Sequence, residues 1–115
     1  MKMKKRKNSL IRFILFLSVS SGIGVCPVWA NSKPVTHRVQ IQNMKFEPAV
    51  LEINRGDKVI WVNQDLVPHT VTAKSSFDSK LIQPDEKFQK VFKKKLEYHY
   101  YCRLHPEMKA ILRVN

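Results

Sequence analysis

Beyond residue 30 the chain has no long segment of helical period; short runs of alternating apolar and polar residues recur, separated by turn residues. That rhythm predicts an all-β fold, a sandwich or a barrel. Strands are expected at Val35–Asn43, Ala49–Ile53, Lys58–Asn63, Thr70–Ala73, Lys87–Phe92, Glu97–Cys102 and Ala110–Val114. Asn54-Arg55-Gly56-Asp57 reads as a turn in which Gly56 can take a positive φ. Pro48, Pro68 and Pro84 fall between runs, where a missing N–H costs least. Within Glu97–Cys102, strand alternation puts Tyr98, Tyr100 and Cys102 on one face and His99 and Tyr101 on the other. The Lys87–Phe92 run is less regular. Phe88 and Phe92 share a face with Lys90, which predicts a bulge or an edge position.

Residues 1–30 follow another pattern. Lys2, Lys4, Lys5, Arg6 and Lys7 form a basic start, Phe13 to Leu17 is strongly apolar, and Val28-Trp29-Ala30 offers a small residue before a cut. This is the form of a secretory signal, so residues 1–30 are expected to be removed on export to the periplasm. An uncleaved anchor fits less well: a spanning helix needs about 20 mostly apolar residues, and serines, glycines and Pro27 interrupt this one. Stable membrane insertion is therefore not expected. Nor is a lipid anchor on Cys26, since Val25 stands where a small residue would be wanted.

Removing this segment changes the charge. The formal balance of +12 falls to +6, because six of the 21 Lys+Arg precede residue 31 and all nine Asp+Glu follow it. Residues 31–115 are enough for one small domain. Their one dense basic run, Lys93-Lys94-Lys95, is too short to read as a nucleic-acid tail. The remainder reads as a solvated surface with a mild bias toward acidic partners.

Processing would also leave a single cysteine, Cys102, in an oxidising compartment. It has no internal partner for a disulfide, so it is a liability or a ligand. Its neighbours decide the matter: Cys102-Arg103-Leu104-His105-Pro106-Glu107-Met108 sets thiolate, imidazole and thioether at C-x2-H-x2-M spacing. Upstream, His69 follows Pro68 at a strand start. Two His and one Cys in a plane, with a weak Met off the axis, are the donors of a mononuclear copper centre. Thiolate and thioether suit Cu(I), while imidazole suits Cu(II) as well, so the set can hold both oxidation states. His37 and His99 read as exposed or structural, and Met44 as core.

Other chemistries fit less well. Two His, one Cys and a water could hold catalytic zinc, but Met is a poor zinc ligand and no residue stands out as a general base. A Cys–His hydrolase would need a substrate cleft and an oxyanion hole, for which so short a chain has little room.

Four stretches together resemble the cupredoxins: Phe46-Glu47-Pro48, Gly56 to Asp65, Pro68-His69-Thr70-Val71 and Tyr98 to Met108. The likeness runs from about residue 35 to residue 115. The short ligand loop is similar to that of the amicyanins, and Tyr98, Tyr100 and Tyr101 look like the plastocyanins. The resemblance implies a Greek-key β-sandwich with one type 1 (blue) copper held by His69, Cys102, His105 and axial Met108. It further implies a monomeric electron carrier, not an enzyme. Redox proteins, such as a c-type cytochrome or a periplasmic dehydrogenase, would dock near His105, with Pro68 and Pro106 in the surrounding patch. Tyr101 would match the aromatic that gives plastocyanin a second surface.

Three departures mark this chain. Thr70 stands where those relatives have Asn bracing the ligand loop, and is expected to donate a comparable bond over a shorter reach. Leu104 and Glu107 replace a Pro and a Phe, and Glu107 brings charge close to the docking patch. Leu96 occupies a turn position that is often Gly. Two other functions compete with the carrier. A copper storage or delivery protein would favour an open, exchangeable site, usually richer in Met or His. A stand-alone relative of a multicopper-oxidase domain would need trimerisation and further His ligands.

Overall fold

The computed structural model describes residues 22–27 and 31–115. Most of the expected signal segment lies outside the described residues. Residues 31–115 form one compact unit and contain nine strands: β1 Thr36–Gln42, β2 Lys45–Glu47, β3 Val50–Ile53, β4 Lys58–Asn63, β5 Thr72–Ala73, β6 Phe77–Asp78, β7 Lys87–Val91, β8 Glu97–Tyr101 and β9 Lys109–Val114. Among the described residues no helix is long and apolar enough to cross a membrane.

The strands build a Greek-key β-sandwich. One sheet has the order β2-β1-β4-β7 and the other β3-β9-β8-β5-β6. Two pairs are parallel, β1 with β4 and β3 with β9; the others are antiparallel. Alternation supplies the interior: Val39 and Ile41 of β1, Val59 and Trp61 of β4, Tyr100 of β8, and Ala110, Leu112 and Val114 of β9 all point inward and are buried. Trp61 is the hub, edge-on to Tyr100 with ring centroids 5.7 Å apart and stacked on Phe88 at 5.6 Å. Full burial of each large side chain is worth about 1.5–3 kcal/mol.

Two expected strands divide or shrink. Val35–Asn43 ends one residue early, because Asn43 and Met44 take φ of 53° and 58° and turn the chain back into β2, which leaves Met44 exposed at the turn and not in the core as expected. Positive φ at both central residues is what a tight two-residue hairpin demands, yet Asn-Met lacks the usual Gly signal. Thr70–Ala73 narrows to β5, because His69 instead pairs with Ile82 in an isolated bridge and Val71 bonds Ser79. The hairpin partner β6 was not expected.

β7 is an edge strand, which accounts for its irregular pattern. Lys90 places its ammonium 5.8 Å from the centre of the Phe77 ring and 5.7 Å from that of Phe92. A cation–π contact lets a charged residue cover aromatic rings at an open edge.

Candidate metal centre

Three donors converge at one end of the sandwich. Cys102 follows the last residue of β8, His105 lies in the loop to β9, and His69 enters from the connection between β4 and β5. Cys102 Sγ is 3.7 Å from His69 Nδ1 and 3.7 Å from His105 Nδ1. The three ligating atoms lie within 4.8 Å of one another, close enough for a single ion to bridge them. His69 and Cys102 are fully buried, whereas His105 is partly exposed. Met108 is buried, and its backbone closes the ligand loop.

That loop is two linked turns. His105 N–H donates to Cys102 C=O at 3.3 Å, Met108 N–H to His105 C=O at 2.9 Å, and Cys102 N–H to Met108 C=O at 3.1 Å. Each donor residue is thus tied to the next through the backbone. These bonds restrict the positions of Cys102, His105 and Met108 relative to one another.

His69 is held more tightly still. Its backbone exchanges both bonds with Ile82, at 3.1 and 2.8 Å. Its Nε2–H donates to Asp65 Oδ2 at 2.8 Å. A carboxylate on the far nitrogen selects the tautomer with a lone pair on Nδ1, the atom that faces Cys102. Asp65 also accepts the Asn43 and Met44 N–H groups at 2.7 and 3.1 Å. Burial opposes ionisation of Asp65, but bonds from Met44, His69 and Asn43 outweigh it and hold the carboxyl below its ordinary value. The Asn43-Met44 turn therefore buttresses His69 through one side chain.

Thr70 braces the opposite side. Its N–H donates to Cys102 Sγ at 3.3 Å and so holds the sulfur in place. Its Oγ1 accepts the Arg103 N–H at 2.8 Å and lies 3.0 Å from Thr72 Oγ1, which reaches Asp78 at 3.3 Å. The expected bond to the ligand loop exists with its sense reversed, because the Thr70 hydroxyl accepts where donation was anticipated.

The structure thus brings His69, Cys102 and His105 together and buries Met108 in the same loop. His37 and His99 stand apart, bonded to Asp57 and Glu97. Sequence reasoning missed Asp65 as a partner of His69. Its signal was present, a carboxylate four residues before a histidine within a proline-bounded loop, but spacing alone does not show that the loop folds back. Two imidazoles and a buried thiol on a rigid loop fit copper, by donor softness and by the absence of carboxylate from the set.

A sequence profile of the plastocyanin/azurin family of copper binding proteins matches residues 33–115. The chain belongs to that family, the cupredoxins, and copper is its metal. Amicyanin from Paracoccus denitrificans is 27% identical over 78 residues, covering 63% of this chain and 60% of the relative. The chain thus spans about 60% of the length of that curated relative. Among solved structures, an amicyanin variant in its Cu(I) form superposes with a TM-score of 0.68 at 25% identity, over 75% of this chain and 88% of the other. A copper-containing nitrite reductase from Thermus scotoductus matches with a TM-score of 0.67 at 31% identity, over 73% of this chain but only 23% of the enzyme.

Proposed function

We propose that the chain is an exported, single-copper electron carrier in which His69, Cys102, His105 and, as a weaker thioether ligand, Met108 would hold the metal. The observation that carries this reading is the Cys102–His69–His105 triangle, held on bonded backbone with one partly exposed imidazole. When bound, copper supplies a one-electron Cu(II)/Cu(I) couple. The protein's part is to hold its donors still. Asp65 fixes the His69 ring, Thr70 N–H holds the Cys102 sulfur, and the 102–108 turns fix His105. Donors that do not rearrange between oxidation states impose little reorganisation on electron transfer.

His105 is the proposed port. Exposed apolar side chains occur on both ligand-bearing loops, Leu66 and Val67 on the one that carries His69 and Leu104 and Pro106 on the one that carries His105. Such side chains suit transient docking of a redox protein, such as a c-type cytochrome or a periplasmic dehydrogenase. Glu107 adds a negative charge to the second loop. The amicyanin likeness and the pattern of residues 1–30 support periplasmic localisation and removal of that segment. The nitrite reductase likeness covers a small part of that enzyme; one mononuclear donor set supports a carrier and not an enzyme.

Stopped-flow mixing of the reduced copper protein with an oxidised c-type cytochrome tests this. Rapid electron transfer, with copper retained against a chelator through repeated cycles, is expected. Copper lost to the chelator on the timescale of transfer would instead indicate storage or delivery.

A further inference from the structure

The pole farthest from the copper ligands carries a second, unassigned surface. β8 begins there at Glu97 and reaches the site at Cys102, roughly 17 Å of strand at about 3.3 Å per residue. Lys93, Lys94 and Lys95 occupy the loop between β7 and β8, all exposed. The turn bearing Arg55 lies against this loop, since Gly56 N–H donates to Phe92 C=O at 2.6 Å. Val91 and Leu96, on either side of the lysine run, are 42% and 50% exposed.

A cleft of about 400 Å³ opens beside the loop, lined by Ser75, Ser76, Lys90, Lys93 and Lys94 among others and by no carboxylate. Among the described residues, none of Arg55, Lys90, Lys93, Lys94 and Lys95 is in an ion pair. The nearby side-chain carboxylates are already engaged, and the last residue, Asn115, lies against the Arg55 turn without forming an ion pair to these cations. Asp57 bonds His37, and Glu97 bonds both Arg113 and His99. Among the described residues, the lysines therefore present positive charge that no ion pair neutralises.

We propose that this pole docks on an anionic phospholipid surface, with lipid phosphates at the Lys90–Lys93–Lys94 cleft and Val91 and Leu96 against the headgroup boundary. Lysines attract an anionic bilayer, and exposed apolar side chains among them gain burial at its surface. The cleft offers ammonium and hydroxyl donors, which suit a phosphodiester. An acidic redox protein fits less well, because a partner seated here would stand a full strand length from the ligands. Docking by this pole leaves His105 facing away from the membrane and open to soluble partners. The inference uses the fold and the charge distribution alone and is independent of the carrier reading.

Co-sedimentation of residues 31–115 with vesicles tests it, comparing phosphatidylcholine alone with phosphatidylcholine containing about one-third phosphatidylglycerol. Binding is expected only to the anionic vesicles, and it should weaken steeply with salt. Each lysine near such a surface changes partition roughly five-fold, so Lys93→Ala/Lys94→Ala/Lys95→Ala should lose on the order of 100-fold. Lys74→Ala/Lys109→Ala, on the outer face of the five-stranded sheet, is the control and should retain binding. Unchanged circular dichroism shows that each variant is folded. Absence of wild-type binding, or equal loss in both variants, would overturn the proposal. So would saturable binding of inorganic phosphate without vesicle binding, which would assign a soluble anion to the cleft.

Discussion

Asp65 and His69 are joined by a 2.8 Å bond from Nε2–H to a carboxylate that also accepts the two amides of the Asn43-Met44 turn. A hairpin in one sheet and the proposed copper ligand that leads into the other thus share one side chain. Carboxylates behind metal-bound imidazoles orient the ring and raise its basicity, and their loss costs about 10–100-fold in metal affinity. Asp65→Asn is expected to lower copper affinity by that order. It also removes a negative charge beside the site, which favours Cu(I) and raises the potential. Competition titration and voltammetry check the two effects.

Thr70 gives a second test. Thr70→Ala removes the acceptor of the part-buried Arg103 N–H, and a typical hydrogen bond contributes about 0.5–1.5 kcal/mol. The variant should melt earlier and exchange copper faster. Thr70→Ser keeps the hydroxyl and should restore both properties. Thermal melts and chelator-driven exchange rates separate this from simple loss of packing, which Ser would not repair.

Met108 should tune the site without creating it. Met108→Leu is expected to leave a coloured protein with a raised potential, because an axial thioether is a weak donor that tunes the potential of such centres. Voltammetry of the two proteins measures the shift. A colourless variant would place Met108 among the principal donors.

Tyr100 OH and Trp61 Nε1 are buried without hydrogen-bond partners among the described residues. Burial pushes the Tyr100 phenol up to about 12, with the nearby Trp61 N–H opposing it without forming a proper hydrogen bond, so the phenol stays neutral. Removing an unsatisfied hydroxyl while keeping the ring should cost little or even stabilise. Tyr100→Phe is expected to match or exceed wild-type stability in urea unfolding, by up to about 1 kcal/mol.

Asp57 governs part of the acid response. Bonds from Val35 N–H, the His37 ring and Asn54 N–H hold its carboxyl below the ordinary value against desolvation. A depressed folded pKa means that the unfolded chain takes up the proton first as pH falls. The stabilisation is therefore present above about pH 4 and is lost as pH falls through the lower folded value. Asp57→Asn should melt earlier than wild type near neutral pH, and the gap should narrow at about pH 3. Thermal melts at the two pH values measure it.

The sequence made the β class and the donor triangle legible for different reasons. Alternation in β1, β4, β8 and β9 is clean because one face of each packs on Trp61 and its neighbours. His105 could be placed because its distance from Cys102 along the chain nearly fixes its distance in space. Asp65 and the Asn43-Met44 turn were not legible, because their contact joins loops 21 and 22 residues apart. β6 was hidden for a related reason: two residues carry no period, and only pairing with β5 makes them a strand. Lys90 looked like a flaw in its strand until the open edge gave it aromatic rings to cover.

The most direct test of the copper centre is the visible absorption of residues 31–115 after addition of Cu(II). An intense blue thiolate-to-copper band is expected, bleached by a reductant, restored by an oxidant and absent from Cys102→Ser. A pale protein that still binds copper, or a Cys102→Ser variant with the wild-type colour, would contradict the assignment of Cys102 as the central ligand.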